Sequence, residues 1–151
     1  MNQEDPEEPK LDILNVDLIG NMYTIKLALH YLRRQHSLNK DSTQDTCLIL
    51  QGSLAGYLDL PGALQYAASK YGLRGVMKSL RRTEGYHNVR VNYIAPWFIR
   101  TPIMSEVVVN KLSESGIEFA TVEDAAAGLL RIVSDPKVHG KHRPGWVGRN
   151  G

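Results

Sequence analysis

The sequence predicts an α/β fold, parallel strands covered by helices, and three observations carry that prediction. Apolar residues recur at steps of three and four from Leu11 through Leu14, Leu18, Met22, Ile25, Leu29 and Leu32, the period of a long amphipathic helix over residues 11–35. Two apolar runs of strand length, "TCLILQG" at 46–52 and "VRVNYIA" at 89–95, flank a second helical stretch. The resulting order of helix, strand, helix, strand, helix makes the strands parallel and puts helices on the sheet faces.

Taken in order, residues 1–10 are acidic, contain two prolines and have too little apolar content to order themselves, so they read as a disordered tail. The polar stretch "HSLNKDSTQD" at 36–45 reads as an exposed loop. The first strand breaks at Gly52, and a loop through "LDLPG" leads to the second helix over residues 63–84. Pro96 ends the second strand. Thr121, three residues before Asp124, gives a capping-box start to the apolar helix "VEDAAAGLLRIV". The glycine-rich end, "GKHRPGWVGRNG", reads as a polar tail over residues 141–151.

A chain of 151 residues is one domain's worth, and folding at that size hides roughly 68–70% of the unfolded surface. A net charge of +2 with 23% charged residues is ordinary for a soluble globular protein and calls for no nucleic acid. The basic stretch of Arg74, Lys78, Arg81 and Arg82 has no aromatic residues of the kind that stack bases and reads as a solvated face. The single cysteine, Cys47, cannot form an internal disulfide, and inside "TCLIL" it reads as a small buried residue. The acidic start is unlike a secretory signal, and no stretch approaches the roughly 20 apolar residues of a membrane span. A cytoplasmic, non-membrane protein is expected.

The stretch "LQYAASKYGLRG" places Tyr66 and Lys70 four apart, on one helical face. With seven tyrosines in the chain, that spacing alone is weak. The chemistry is more telling: a free phenol is a poor proton carrier at neutral pH, and a nearby ammonium favours the phenolate. Ser53 ends the first strand thirteen positions before Tyr66, and open α/β sheets bind ligands beyond the carboxyl ends of their strands. The second strand ends on the same side at "IAPWFIRTP". Ser53, Tyr66, Lys70 and Thr101 are therefore expected to converge on one crevice. Rival motifs fail. Gln51 and Ala55 stand where a hydrolase elbow needs glycines. His139 and His142 with Cys47 make no zinc set, and "KVHGKHR" reads as a solvated basic segment. Gly52 and Gly56 lack the third glycine of a phosphate cradle.

"LQGSLAGYLDLPGALQYAASKYGLRGVMKSLRR" followed by "VRVNYIAPWFIRTP" resembles the catalytic, carboxyl-terminal half of a short-chain dehydrogenase/reductase of fungal type. The Ser-x12-Tyr-x3-Lys spacing matches that family's catalytic pattern without a shift, over a likeness running from about Leu11 to Gly140. The resemblance implies a Rossmann-like, doubly wound parallel sheet over residues 11–140 and NADP- or NAD-dependent hydride exchange with a small-molecule alcohol or ketone. It casts Tyr66 as the acid/base, Ser53 as the group that binds the substrate oxygen, and Lys70 as the ammonium that serves both Tyr66 and the nicotinamide ribose. Pro96, Ile99 and Thr101 would join Tyr66 and Lys70 in the cofactor site, with Thr101 and the Ile99 backbone holding the carboxamide. It also implies a homo-oligomer through helices 11–35 and 63–84.

Three departures accompany the likeness. Asp17 in "VDLIG" takes the place of the family's asparagine; its backbone carbonyl can still serve a proton-relay water, whereas a role for the amide would be lost. Trp97 replaces the glycine that usually follows the proline, and its bulk either narrows or covers the cofactor cleft. The family's amino-terminal βαβ units and Thr-Gly-x-x-x-Gly-x-Gly turn are not found, so a partial fold is expected, with dinucleotide binding weak or absent in these residues alone. The alternative reading is a truncated, non-catalytic remnant acting as a pseudoenzyme or dimerisation module.

Overall fold

The computed structural model describes residues 7–38, 45–139 and 142–145, the last four by backbone alone. Much of the expected acidic tail, most of the loop at 36–45 and most of the expected polar tail lie outside the described residues.

The chain runs through α1 (Asp12–Leu14), a π-helical turn (Asn15–Gly20), α2 (Asn21–Leu38), β1 (Thr46–Gln51) and a 3-10 turn (Leu54–Gly56). It continues through α3 (Leu64–Thr83), a second 3-10 turn (Glu84–His87), β2 (Val89–Pro96), α4 (Glu106–Glu114), α5 (Val122–Ser134) and β3 (His142–Gly145). β1 and β2 pair in parallel from Thr46 opposite Val89 to Gln51 opposite Ile94, and β2 pairs in parallel with β3 along its second half. The fold is the α/β class that the element order predicts.

β2 is the middle strand, and Val89 through Ala95 are all buried. Its two faces do different things, because successive side chains point to opposite sides. Val89, Val91, Tyr93 and Ala95 join Leu50 of β1, Ile25 and Leu29 of α2, and Leu73 and Met77 of α3 in one core cluster. On the other face, Arg90 donates to the carbonyl of Ile132 in α5 at 3.1 Å, and Ile94 reaches to within 3.5 Å of where Gly128 of α5 would carry a Cβ. Helices thus cover both faces, the arrangement of a doubly wound sheet.

Local chemistry fixes the ends. Thr121 Oγ1 accepts from the Asp124 N–H at 3.0 Å while the Asp124 carboxylate accepts from the Thr121 N–H at 3.0 Å, a full capping box. Asn88, at φ 55°, makes the left-handed step between the second 3-10 turn and β2, a conformation that asparagine tolerates better than most residues. Glu84 is 1% exposed and takes a bidentate ion pair from Arg33, which pins the end of α3 to α2.

Several features differ from the sequence reading. The long first helix widens into a π-helical turn that the regular three-and-four spacing gives no sign of. Ser105 caps α4, accepting from the Val108 N–H, and so turns the β-branched run Val107 to Val109 into helix. β3 forms from a segment read as polar tail, by main-chain pairing with β2, and such pairing leaves no apolar period in a sequence. His139 is half-buried rather than solvated: its Nδ1 accepts from the Val91 N–H at 3.3 Å and its Nε2 stands 3.1 Å from the Arg81 carbonyl oxygen. No helix among the described residues is long and apolar enough to cross a membrane.

Candidate active site

Tyr66 and Lys70 lie one turn apart in the first half of α3, and both are half-buried. Lys70 Nζ stands 5.1 Å from the centre of the Tyr66 ring, within cation–π reach. The same ammonium lies 3.1 Å from Asp17 Oδ2. Asp17 reaches it from the π-helical turn, whose packing depends on Gly72: a Cβ there would stand 3.0 Å from both methyl carbons of Leu18. A bare backbone at Gly72 therefore lets the turn close on α3. The Asp17 carbonyl, a candidate relay-water acceptor, already accepts from Asn21 Nδ2 at 2.9 Å.

Ser53 follows β1 in extended conformation and caps the first 3-10 turn, its Oγ accepting from the Ala55 N–H at 3.1 Å. Behind it stands Tyr93, which is fully buried. The Tyr93 hydroxyl lies 3.3 Å from the Ser53 amide nitrogen, 3.5 Å from the Ser53 carbonyl oxygen and 3.4 Å from the Lys70 carbonyl oxygen. Burial pushes the Tyr93 phenol above its ordinary pKa, with the hydrogen bond to the Ser53 backbone opposing. Arg74, read from sequence as part of a solvated face, instead lies 3.9 Å over the Tyr57 ring and donates to the Gly56 carbonyl at 3.2 Å.

Beyond Pro96 the chain is tied to the segment before α5. The Trp97 indole N–H donates to the Glu118 carbonyl at 2.9 Å, the Ala120 N–H donates to the Phe98 carbonyl at 2.8 Å, and Ile99 bridges Ala120. Thr101 is half-buried and lines an open cavity of about 560 Å³ with Arg100, Met104, Val109 and Asn110. The lining of that cavity does not include Ser53, Tyr66 or Lys70. The structure therefore brings Asp17, Lys70 and Tyr66 together and links Ser53 to them through Tyr93, whereas Thr101, expected in the same crevice, lines a cavity whose walls include none of them. Sequence reasoning passed over Tyr93. Its signal was available in the two glycines flanking Ser53, whose missing side chains leave space for a large ring.

Two of these residues, considered singly, have the chemistry that the nicotinamide end of a dinucleotide calls for. Lys70 presents an ammonium suited to ribose hydroxyls, and Thr101 a hydroxyl suited to a carboxamide, beside a cavity with room for a ring. Among the described residues no group of three or more His, Cys, Asp and Glu side chains gathers to hold a metal.

The fold is the Rossmann-like fold found in short-chain dehydrogenases. Residues 2–112 match the family model for short chain dehydrogenases, and the chain belongs to that family. It is 37% identical over 141 residues to a 5'-hydroxyaverantin dehydrogenase of Dothistroma septosporum, covering 88% of this chain and 45% of the relative. It is 31% identical over 144 residues to an NADP-dependent dehydrogenase of Cochliobolus lunatus, covering 89% and 50% respectively. The chain thus spans about half the length of these relatives. Among solved structures, a type-2 3-hydroxyacyl-CoA dehydrogenase of Mycobacterium avium superposes with a TM-score of 0.75 at 22% identity, covering 94% of this chain and 58% of that one.

Proposed function

We propose that the chain carries the catalytic residues of an NADP- or NAD-dependent oxidoreductase that interconverts a small-molecule alcohol and ketone. The observation that carries this reading is the placement of Lys70 Nζ 5.1 Å from the Tyr66 ring, one helical turn away, in a chain of this family. The nicotinamide, when bound, supplies or accepts the hydride. Tyr66 Oη gives its proton to the substrate oxygen in reduction and takes it back in oxidation. The Lys70 ammonium stabilises the phenolate that remains and offers donors to the ribose. Ser53 Oγ donates to the substrate oxygen as charge builds there. Thr101 and the Ile99 backbone orient the carboxamide.

The 151 residues hold no Gly-x-x-x-Gly-x-Gly turn. This reading therefore expects the chain alone to bind dinucleotide no tighter than roughly millimolar, near −4 kcal/mol, and micromolar binding by calorimetry would contradict that expectation. Helices 11–35 and 63–84 would join copies into a homo-oligomer. The ion pair at Asp17 favours one further reading, a non-catalytic dimerisation module, because a carboxylate on Lys70 offsets the charge that Tyr66 needs. Hydride transfer from NADPH or NADH to a panel of ketones, followed by loss of nicotinamide absorbance, separates the two. Turnover abolished by Tyr66→Phe supports the oxidoreductase; no turnover with any ketone, at dinucleotide concentrations well above that millimolar constant, supports the module.

A further inference from the structure

Gly52 and Gly56 frame a slot that one side chain fills. A Cβ on Gly52 would lie 1.8 Å from both Cζ and the hydroxyl of Tyr93, and a Cβ on Gly56 would lie 2.8 Å from that hydroxyl. Neither distance is possible for real atoms in contact, so Tyr93 requires glycine at 52, while at 56 the Tyr93 hydroxyl and the Lys70 carbonyl oxygen, 2.9 Å away, together exclude a side chain. The slot holds the ring of a fully buried residue whose hydroxyl reaches the Ser53 amide, the Ser53 carbonyl and the Lys70 carbonyl.

We propose that Tyr93 is a positioning residue: its hydroxyl ties the Ser53 loop to the Lys70 turn of α3 and so sets the serine relative to the acid/base pair. The phenol has one proton, which it donates to the Lys70 or the Ser53 carbonyl, while its oxygen accepts the Ser53 N–H. Each hydrogen bond is long, at 3.3 to 3.5 Å. Together they span two elements that bear different parts of the chemistry. Burial keeps the phenol protonated, so the donor persists through neutral pH. A phenylalanine would fill the same slot and keep the core, leaving the Ser53 N–H without its acceptor. The proposed role in catalysis rests on the assignment of Tyr66, Lys70 and Ser53 above; the tie itself does not.

The test is Tyr93→Phe, read by amide hydrogen exchange on the ligand-free protein and by pre-steady-state hydride transfer. Exchange at Ser53 should accelerate by roughly tenfold or more while Leu48 and Leu50 in β1 keep their protection. Hydride transfer should fall by about ten- to a hundredfold, as for a misplaced reacting group, with the substrate KM and the cofactor affinity within about twofold. Unchanged exchange at Ser53 overturns the proposal whatever the rate does. Faster exchange at an unchanged rate, in an enzyme that Tyr66→Phe inactivates, overturns the positioning role. Hydride transfer that survives Tyr66→Phe instead sinks the reading of the site, and Ser53 exchange still decides whether the tie exists. Should Tyr93→Phe not fold, Gly56→Ala crowds both ends of the tie, the Tyr93 hydroxyl at 2.8 Å and the Lys70 carbonyl oxygen at 2.9 Å, and must produce the same local loss of Ser53 protection.

Discussion

Asp17 Oδ2 lies 3.1 Å from Lys70 Nζ, so the ammonium that faces the Tyr66 ring has a carboxylate as its nearest counter-charge. The pair is mostly shielded, with 12% of the Lys70 and 30% of the Asp17 side chain exposed. A carboxylate there draws on the same charge that would stabilise a Tyr66 phenolate and competes with ribose hydroxyls for the Lys70 donors. Asp17→Asn keeps the shape and removes the charge. The expected result is a rise in hydride-transfer rate of about two- to fivefold, in line with a partly exposed ion pair of up to about 1 kcal/mol. A rate that is unchanged or lower would mean that the carboxylate orients Lys70 productively.

On the proposed reading, Tyr66→Phe removes the proton donor and leaves the ring against Lys70. Turnover should drop by about a hundredfold or more, the usual worth of a positioned acid/base, while cofactor affinity stays within about twofold. Lys70→Met should lower both if, as proposed, one ammonium serves phenol and ribose. Substantial residual turnover in Tyr66→Phe, measured at saturating substrate, rules out the assignment.

Gly52→Ala drives a methyl into the Tyr93 ring, at a separation of 1.8 Å before relaxation. The cost should be about 1–3 kcal/mol or more in urea unfolding, the range for overpacked cores. Tyr93→Phe leaves Cζ in place and should not rescue it, whereas Tyr93→Leu in the same background should recover part of the loss. Equal stability of Gly52→Ala and the parent chain would show that the slot is wider than these distances require.

Much of the architecture was legible because it is written in short-range pattern. The period of three and four over residues 11–35, the apolar runs of β1 and β2, and the capping box at Thr121 are local signals, and each appears where it was read. What the sequence hid depends on distant partners. The π-helical turn matters because Leu18 meets Gly72, more than fifty residues away. β3 exists by pairing with β2, and His139 is held by Val91 and Arg81. At the candidate site, residue chemistry and spacing singled out Tyr66, Lys70 and Ser53 as candidates, and the family pattern drew attention to Asp17. The ion pair of Asp17 with Lys70 and the place of Tyr93 behind Ser53 emerged only in three dimensions.

Arg90 anchors the far face of β2, and its acid lability has a defined sign. The buried guanidinium takes Asp45 through Nε at 2.7 Å and donates to the Val138 carbonyl at 2.7 Å. The hydrogen bond from Arg90 holds the Asp45 carboxyl below its ordinary pKa, with burial opposing. A depressed carboxyl contributes stability above its unfolded pKa, near 3.9, and that contribution is lost as pH falls through the folded value. Asp45→Asn should therefore be less stable than the parent at pH 7, with the gap closing as pH falls below the unfolded value near 3.9. Melting curves above and below that value check this, and a gap that stays constant would show that Asp45 does not act through its charge.

Tyr23, Leu27 and Tyr31 stand four apart along α2 and remain 70%, 60% and 62% exposed, opposite the buried Ile25 and Leu29. Their spacing sets them in one outward stripe, and Val16 and Ile19 extend exposed apolar surface toward the π-helical turn. Exposed apolar patches of this kind are a common feature of surfaces where one chain meets another. The reading of the chain as a homo-oligomer through its first two long helices draws on this surface. Light scattering of the purified chain should give at least a dimer, and Leu27→Glu should lower the measured mass while leaving the circular dichroism spectrum unchanged. A monodisperse monomer at tens of micromolar would contradict the oligomer. An undiminished mass in Leu27→Glu would move the interface off α2.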